Sequence, residues 1–131
     1  MLGLQGNMVL CPAKFVQRAG VAALDGPFEP IQKMADEYER RVDFVSKRLN
    51  EIEGITCQKP EGAFYVWPDI SDLKLSSKDF CNGLIDKEKV VTIAGTHFGT
   101  AGEGFIRLAL VNPLNILTEA LDRIENYVKK L

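Results

Sequence analysis

Arg107 stands in the middle of Phe105-Ile106-Arg107-Leu108-Ala109-Leu110, a run that is otherwise wholly apolar. A guanidinium in such a run needs an anion, because desolvating it is costly unless it is paired and hydrogen-bonded. Its planar fork matches a carboxylate through two parallel bonds. The residues leave two sources open: one of the chain's eighteen acidic side chains, or the carboxylate of a bound ligand. Directly before the run lies a glycine-rich stretch, Ala94 to Gly104, with glycines at 95, 99, 102 and 104. Loops that cradle phosphate lead into a helix N-terminus, whereas this one leads into a strand with the spacing of neither nucleotide fingerprint, so nucleotide binding is set aside. What remains is a plain mobile connection, or a lid whose apolar Phe98 touches a ligand.

Two other chemistries find no support. His97 is the single histidine and has no cysteine near it in sequence, so a metal site is not expected and a surface loop position is. No serine occupies a Gly-x-Ser-x-Gly turn, which removes the nucleophile of a hydrolase triad. Phe64-Tyr65-Val66-Trp67 places Phe64 and Val66 on one strand face and Tyr65 and Trp67 on the other. An aromatic core is the default for such a strand, with a ligand-pocket wall as the alternative.

These residues must be positioned by the surrounding elements. The sequence predicts a helix from Ala13 to Leu24, broken by Asp25-Gly26-Pro27. Apolar residues then fall at Phe28, Ile31, Ala35, Tyr38, Val42, Val45, Leu49 and Ile52, three or four apart, one continuous stripe of a long helix ended by Gly54. Ile55 to Cys57 and Ala63 to Trp67 read as strands, the second closed by Pro68. Ser76 with Asp79 resembles a capping pair for a short helix whose apolar face is Phe80, Leu84 and Ile85. Val90 to Ile93 and Phe105 to Leu110 are the third and fourth strands. Asn112-Pro113 supplies a cap and first-turn proline for a last helix striped by Leu114, Leu117, Leu121, Ile124, Val128 and Leu131. The expected fold class is α/β (α+β): a two-layer small domain with helices packed on a small sheet.

The 131 residues suffice for one ordinary domain, and 46% apolar with 26% charged residues is a globular composition. Sixteen basic against eighteen acidic residues leave a net charge of −2, which gives no electrostatic case for nucleic acid or an anionic membrane. Cys11, Cys57 and Cys81 are widely separated and odd in number, as expected of reduced thiols in a cytoplasmic protein. No apolar run reaches the length of a membrane span, and the first ten residues lack the pattern of a signal peptide.

Taken in order, several segments resemble the C-terminal small domain of class I/II aminotransferases of the aspartate aminotransferase type, from about Phe15 to the end. They are Phe15-Val16-Gln17 with Ala22-Ala23-Leu24, Tyr38 with Arg41 and Asp43, and Pro60-Glu61-Gly62-Ala63-Phe64-Tyr65-Val66. Val90-Val91, Gly95 with Phe98-Gly99, and Gly102-Glu103-Gly104-Phe105-Ile106-Arg107-Leu108 complete the match. The resemblance implies that residues 1–26 end a preceding large-domain or interdomain helical segment and that residues 27–131 form the small domain. It implies that Arg107 grips the α-carboxylate of an amino acid or 2-oxo acid, with Phe98 near that substrate.

The intact parent would be a homodimer that transfers amino groups with pyridoxal 5'-phosphate. The lysine, acid and phosphate ligands for that cofactor come, in the family, from earlier in the chain, so no cofactor is expected on this chain alone and it is expected to be inactive. Ser71-Asp72-Leu73-Lys74 lacks the glycine and arginine that follow the family's cofactor lysine, and no role falls to Lys74. The chain departs from the family at Ala94, often proline, and at Val42, often arginine. Two other readings stay open: a stand-alone binding or regulatory module on the same fold, and a parent that uses the fold for a related reaction such as decarboxylation. The face that would meet the missing domain is expected to drive self-association.

Overall fold

The computed structural model describes residues 2–8 and 11–131, and the chain divides into two compact units, Met1–Lys33 and Met34–Leu131. The first unit contains α1 (Leu2–Met8), α2 (Lys14–Asp25) and the opening of α3 (Glu29–Leu49). The Gln17 side chain donates to the Pro12 carbonyl at 2.8 Å across the start of α2, and the helix stops at Gly26, whose backbone is extended. No residue of α2 is buried, although Phe15 and Leu24 are large and apolar; their exposures are 75% and 88%.

In the second unit the C-terminal half of α3 buries Val42, Val45 and Leu49, with Ile52 just beyond it. The stripe expected from Phe28 onward is therefore inward-facing only in this half, since Phe28 and Ile31 are exposed. The helix also stops earlier than Gly54. The Asn50 side chain donates to the carbonyls of Ser46 and Cys57 and accepts from the Cys57 amide, each at 2.8 Å. It thereby replaces the next helical bonds with a turn. Gly54 lies past that turn at φ 82°.

The sheet is smaller than the sequence suggests. It has three strands, β1 (Tyr65–Val66), β2 (Ile93–Ala94) and β3 (Ile106–Ala109), in the order β1-β3-β2 and antiparallel throughout. The expected strand Ile55–Cys57 is reduced to a single bridge, Thr56 to Asp69, because Asn50 already holds both backbone groups of Cys57. The third strand begins at Ile93 rather than Val90; Val91 is exposed, and Val90 packs against the core without joining a strand. Pairing of the second segment with β3 extends beyond β1, with Leu110 N–H donating to Phe64 O at 2.8 Å and Ile106 N–H to Pro68 O at 3.1 Å.

Helix α4 (Ser77–Glu88) starts as expected: Ser76 Oγ accepts from the Asp79 amide at 3.0 Å and donates to its carboxylate at 2.7 Å. Ser77, Phe80, Cys81 and Leu84 are its buried residues, and Ile85, expected on the apolar face, is exposed instead. Helix α5 (Leu114–Val128) is capped differently from the expectation. Pro113 itself holds the cap position with extended backbone and no side-chain bond, so Asn112 does not cap, and proline serves because its fixed φ suits the entry to the helix. Leu117, Leu121, Ile124 and Tyr127 are buried on α5, while Leu131 is exposed.

The core is the single apolar layer between these helices and one face of the sheet, where Val66, Ile106, Leu108 and Leu110 meet Leu49, Phe80, Leu84, Leu121 and Ile124. The architecture is the expected two-layer α/β arrangement. Arg48 of α3 ties that layer to α5 through Asp122, at 3.1 Å, and Glu125. Its guanidinium, and then Lys129, push the Glu125 carboxyl down to about 2. Cys57 and Cys81 are buried free thiols, and burial raises both pKa values. Among the described residues no helix is long and apolar enough to cross a membrane.

Candidate functional site

Strand β3 alternates strictly: Ile106 and Leu108 are buried, Arg107 is half-buried and Ala109 exposed. Arg107 therefore points away from the apolar layer, which a run of apolar neighbours on both sides conceals when read without its sheet. On that outer face the β1 register sets Tyr65 opposite Ala109, one diagonal step from Arg107, and the β2 register sets Ile93 directly opposite Arg107. The guanidinium carbon lies over the Tyr65 ring, 4.4 Å from its centroid, and over the Phe98 ring at 4.6 Å.

No carboxylate among the described residues pairs with Arg107, whose contacts are these two rings. Of the two anion sources left open by the sequence, an acidic side chain of the chain itself is thus absent among the described residues. Cation–π contact stabilises the charge by only about 0.5 to 2 kcal/mol. It does not neutralise the charge, so the guanidinium N–H donors can still serve an anion.

The aromatics of the second segment are not core residues. Val66 is buried, but Trp67 is 37% exposed and Phe64 36%, and the buried rings of the core are Phe80 and Tyr127, edge to face at 5.3 Å. Instead Trp67 meets Phe98 edge-on at 5.3 Å and stacks with Phe105 at 6.1 Å. Tyr65, Trp67, Phe98 and Phe105 make an aromatic surface around one cation. Beside it lies a depression of about 470 Å³, bordered by Trp67, Phe105, Lys59 and Glu61.

Phe98 is delivered by the glycine-rich stretch, which is folded and not a slack connection. Residues Gly95–Phe98 and Thr100–Gly102 form two 3-10 turns set against each other so closely that a Cβ on Gly95 would come within 2.1 Å of the Gly102 carbonyl oxygen, and one on Gly102 within 2.1 Å of the Gly95 oxygen. The Gly95 amide donates to Phe105 O at 2.8 Å. Glu103 accepts from the Ser77 amide at 2.7 Å and the Ser77 hydroxyl at 3.2 Å. The backbone bond from Ser77 is the main reason its carboxyl is held below the usual range, and the contact pins the loop to the N-terminus of α4. Ala94 already has φ −62°, the angle that proline would impose, so this departure from the family pattern leaves the loop's entry unchanged.

His97 lies in the loop with Nδ1 3.2 Å from Ala94 O. Among the described residues no group of three or more metal-ligating side chains gathers anywhere. Lys74 sits in the left-handed region at φ 57°, exposed, after the turn Ser71–Leu73. Val42 is buried, so packing accounts for the second departure. Arg41, one of the residues that match the family pattern, has a structural role. It bonds Glu37 at 2.8 Å, donates to Leu110 O and Val111 O at 3.0 Å each, and lies over the Tyr38 ring. It thus satisfies the carbonyls where β3 ends.

The family model described as aminotransferase class I and II matches residues 1–124. The chain belongs to this family. It is 42% identical to aromatic-amino-acid aminotransferase 2 of Thermococcus litoralis over 99% of its own length and 34% of that protein. It is 38% identical to aspartate aminotransferase of Pyrococcus abyssi with the same coverage. Among solved structures, the aromatic aminotransferase of Pyrococcus horikoshii superposes with a TM-score of 0.91 at 37% identity, over 98% of this chain and 34% of that one. The chain therefore spans about a third of the length of the curated relatives it matches.

Proposed function

We propose that this chain is the substrate-carboxylate side of an amino-acid aminotransferase, the C-terminal small domain (residues 27–131) that follows a linking helical segment (residues 1–26). In this reading Arg107 receives the α-carboxylate of an amino acid or 2-oxo acid through its in-plane donors. The two ring contacts hold the guanidinium in place, and Phe98 walls the substrate beside it. The observation that carries the reading is a half-buried arginine on the open face of the sheet with rings against it and no acid of its own among the described residues. A cation so placed binds an anion brought to it more strongly than one already neutralised.

The cofactor the family implies is pyridoxal 5'-phosphate, which supplies the electron sink for amino transfer when bound. Neither Lys59 nor Lys74 suits the lysine that this cofactor requires. Its lysine must give up a proton to react, whereas Lys59, which borders the aromatic depression, is held by Asp43 at 2.5 Å with its pKa raised, and Lys74 is an exposed turn residue. We therefore assign the cofactor to other parts of the intact enzyme. The buried free thiols Cys57 and Cys81 suit a reducing, cytoplasmic setting. The exposed apolar residues of α2 suit burial against further protein in a homodimeric enzyme.

The test is a comparison of amino donors on the enzyme that carries this chain: each amino acid against the amine that lacks its carboxylate. The reading expects the acid to be preferred by roughly ten- to a hundredfold, the worth of a charge-assisted pair, and expects Arg107→Ala to erase the preference. A preference unchanged by that substitution would remove Arg107 from the site.

A further inference from the structure

We propose that Tyr65 is a positioning residue for the carboxylate site: its ring, together with that of Phe98, fixes the plane of the Arg107 guanidinium. The inference rests on the carboxylate-anchor reading of Arg107 and deepens it.

Arginine has four rotatable side-chain bonds and a large rotamer entropy, so an anchor without a fixed partner spends part of its binding energy on being ordered. An acidic neighbour is the usual way to order an arginine, but it would also neutralise the cation and compete with the substrate. Here ordering comes from surfaces that accept no protons and carry no charge. The Tyr65 centroid is 4.4 Å from the guanidinium carbon and the Phe98 centroid 4.6 Å, well inside cation–π range.

The two rings are held by different parts of the fold. Tyr65 is fixed by the β1–β3 register, which sets Val66 opposite Leu108 with Val66 in the core, so its ring must emerge on the face of Arg107. The Tyr65 ring is itself backed by Phe64, at 4.4 Å, and Phe64 by Tyr38, at 5.5 Å. Phe98 is fixed by the paired 3-10 turns and by the edge of Trp67. One ring thus belongs to the sheet and the other to the loop. No hydrogen bond by the Tyr65 hydroxyl is needed, which separates a ring function from a hydroxyl function.

The experiment measures competitive inhibition of the intact holoenzyme by acetate, succinate and 3-phenylpropanoate, which share only the carboxylate. Tyr65→Leu and Tyr65→Met are expected to raise all three inhibition constants by a similar factor, about three- to tenfold. Tyr65→Phe is expected to stay within twofold of the parent. In an Arg107→Lys background the Tyr65→Leu change is expected to add less than twofold, because the group it orients is gone.

Unchanged constants in Tyr65→Leu, alongside raised ones in Arg107→Lys, would overturn the positioning role and leave the anchor standing. Unchanged constants in Arg107→Lys would overturn the anchor itself. A loss in Tyr65→Phe equal to that in Tyr65→Leu would replace the ring with the hydroxyl and so also overturn the proposal. Should Tyr65→Leu fold poorly, Tyr65→Met keeps the volume without the π face and reads the same constants.

Discussion

Gly102→Ala should damage the loop that carries Phe98, and the size of the effect can be worked from the backbone. The added Cβ would stand 2.1 Å from the Gly95 oxygen and 2.4 Å from its carbonyl carbon. Ordinary carbon–oxygen contact lies near 3.5 Å, so the two 3-10 turns must separate by roughly 1 Å, and both opposing atoms are backbone with no rotamer to relieve them. Overpacking of this kind costs about 1 to 3 kcal/mol. In a unit of about 100 residues each kcal/mol lowers the melting temperature by about 4 to 8 °C, so a loss of roughly 4 to 24 °C is expected.

The same 1 Å displacement would carry Phe98 off Arg107, and misplacement on that scale costs up to about a hundredfold in kcat/KM. The assay is thermal melting beside kcat/KM with an amino-acid donor on the intact enzyme. Gly62→Ala is the control, because Gly62 has open space where its Cβ would go and no positive φ; it should change neither quantity. If Gly102→Ala melts within 2 °C of the parent, the close packing of the two turns is not what holds the loop, and the account of Phe98's placement fails.

Other expectations follow from single features. Glu125, pushed down to about 2 by Arg48 and Lys129, is ionised in the fold where an unfolded glutamate, at about 4.5, is not. Its contribution is present above pH 4.5 and is lost as pH falls toward 2, so Glu125→Gln should flatten that acid limb of a melting-temperature profile. Lys74→Gly relieves a left-handed backbone at φ 57° and should stabilise by about 1 kcal/mol while leaving transamination by the intact enzyme unchanged; lost activity would return Lys74 to the chemistry. The chain on its own should form no specific pyridoxyl adduct after borohydride reduction in the presence of pyridoxal phosphate, and mass spectrometry that finds one lysine uniformly modified would contradict this. Phe15, Val16, Val21 and Leu24 are exposed on and beside one amphipathic helix, so the chain should self-associate, and Leu24→Glu should shift light scattering toward monomer.

The helices from α2 onward were legible because each carries its own signal, whereas α1 was not among the expected elements. The Ser76–Asp79 cap requires no knowledge of neighbours and appears where the spacing puts it, and the α5 stripe faces inward at Leu117, Leu121 and Ile124 but not at Leu131. Strand lengths were not legible, since pairing is decided by what lies alongside: Thr56 makes a single bridge, to Asp69, and Val91 is exposed outside any strand. The charge of Arg107 was legible as an anomaly, but its setting was not. The apolar run suggests a guanidinium sealed in a core, whereas the alternation of β3 turns it to the open face, where Tyr65 and Phe98 cover it. Those two rings come from segments more than thirty residues apart. The period-two split of Tyr65 and Trp67 from Val66 was the available signal, and it becomes decisive only with the register to β3 in hand.

The central claim is that Arg107 grips a substrate carboxylate, and Arg107→Lys in the intact enzyme tests it most directly. Lysine keeps one positive charge and loses the planar two-point grip. A lost charge-assisted bond is worth about 1.5 to 3 kcal/mol, so kcat/KM for amino-acid donors should fall by about ten- to a hundredfold or more. Thermal stability should change little, because Arg107 forms no ion pair among the described residues and contributes only its contacts to two rings. Near-normal turnover beside a large fall in melting temperature would contradict the carboxylate role and make Arg107 a structural residue of the sheet.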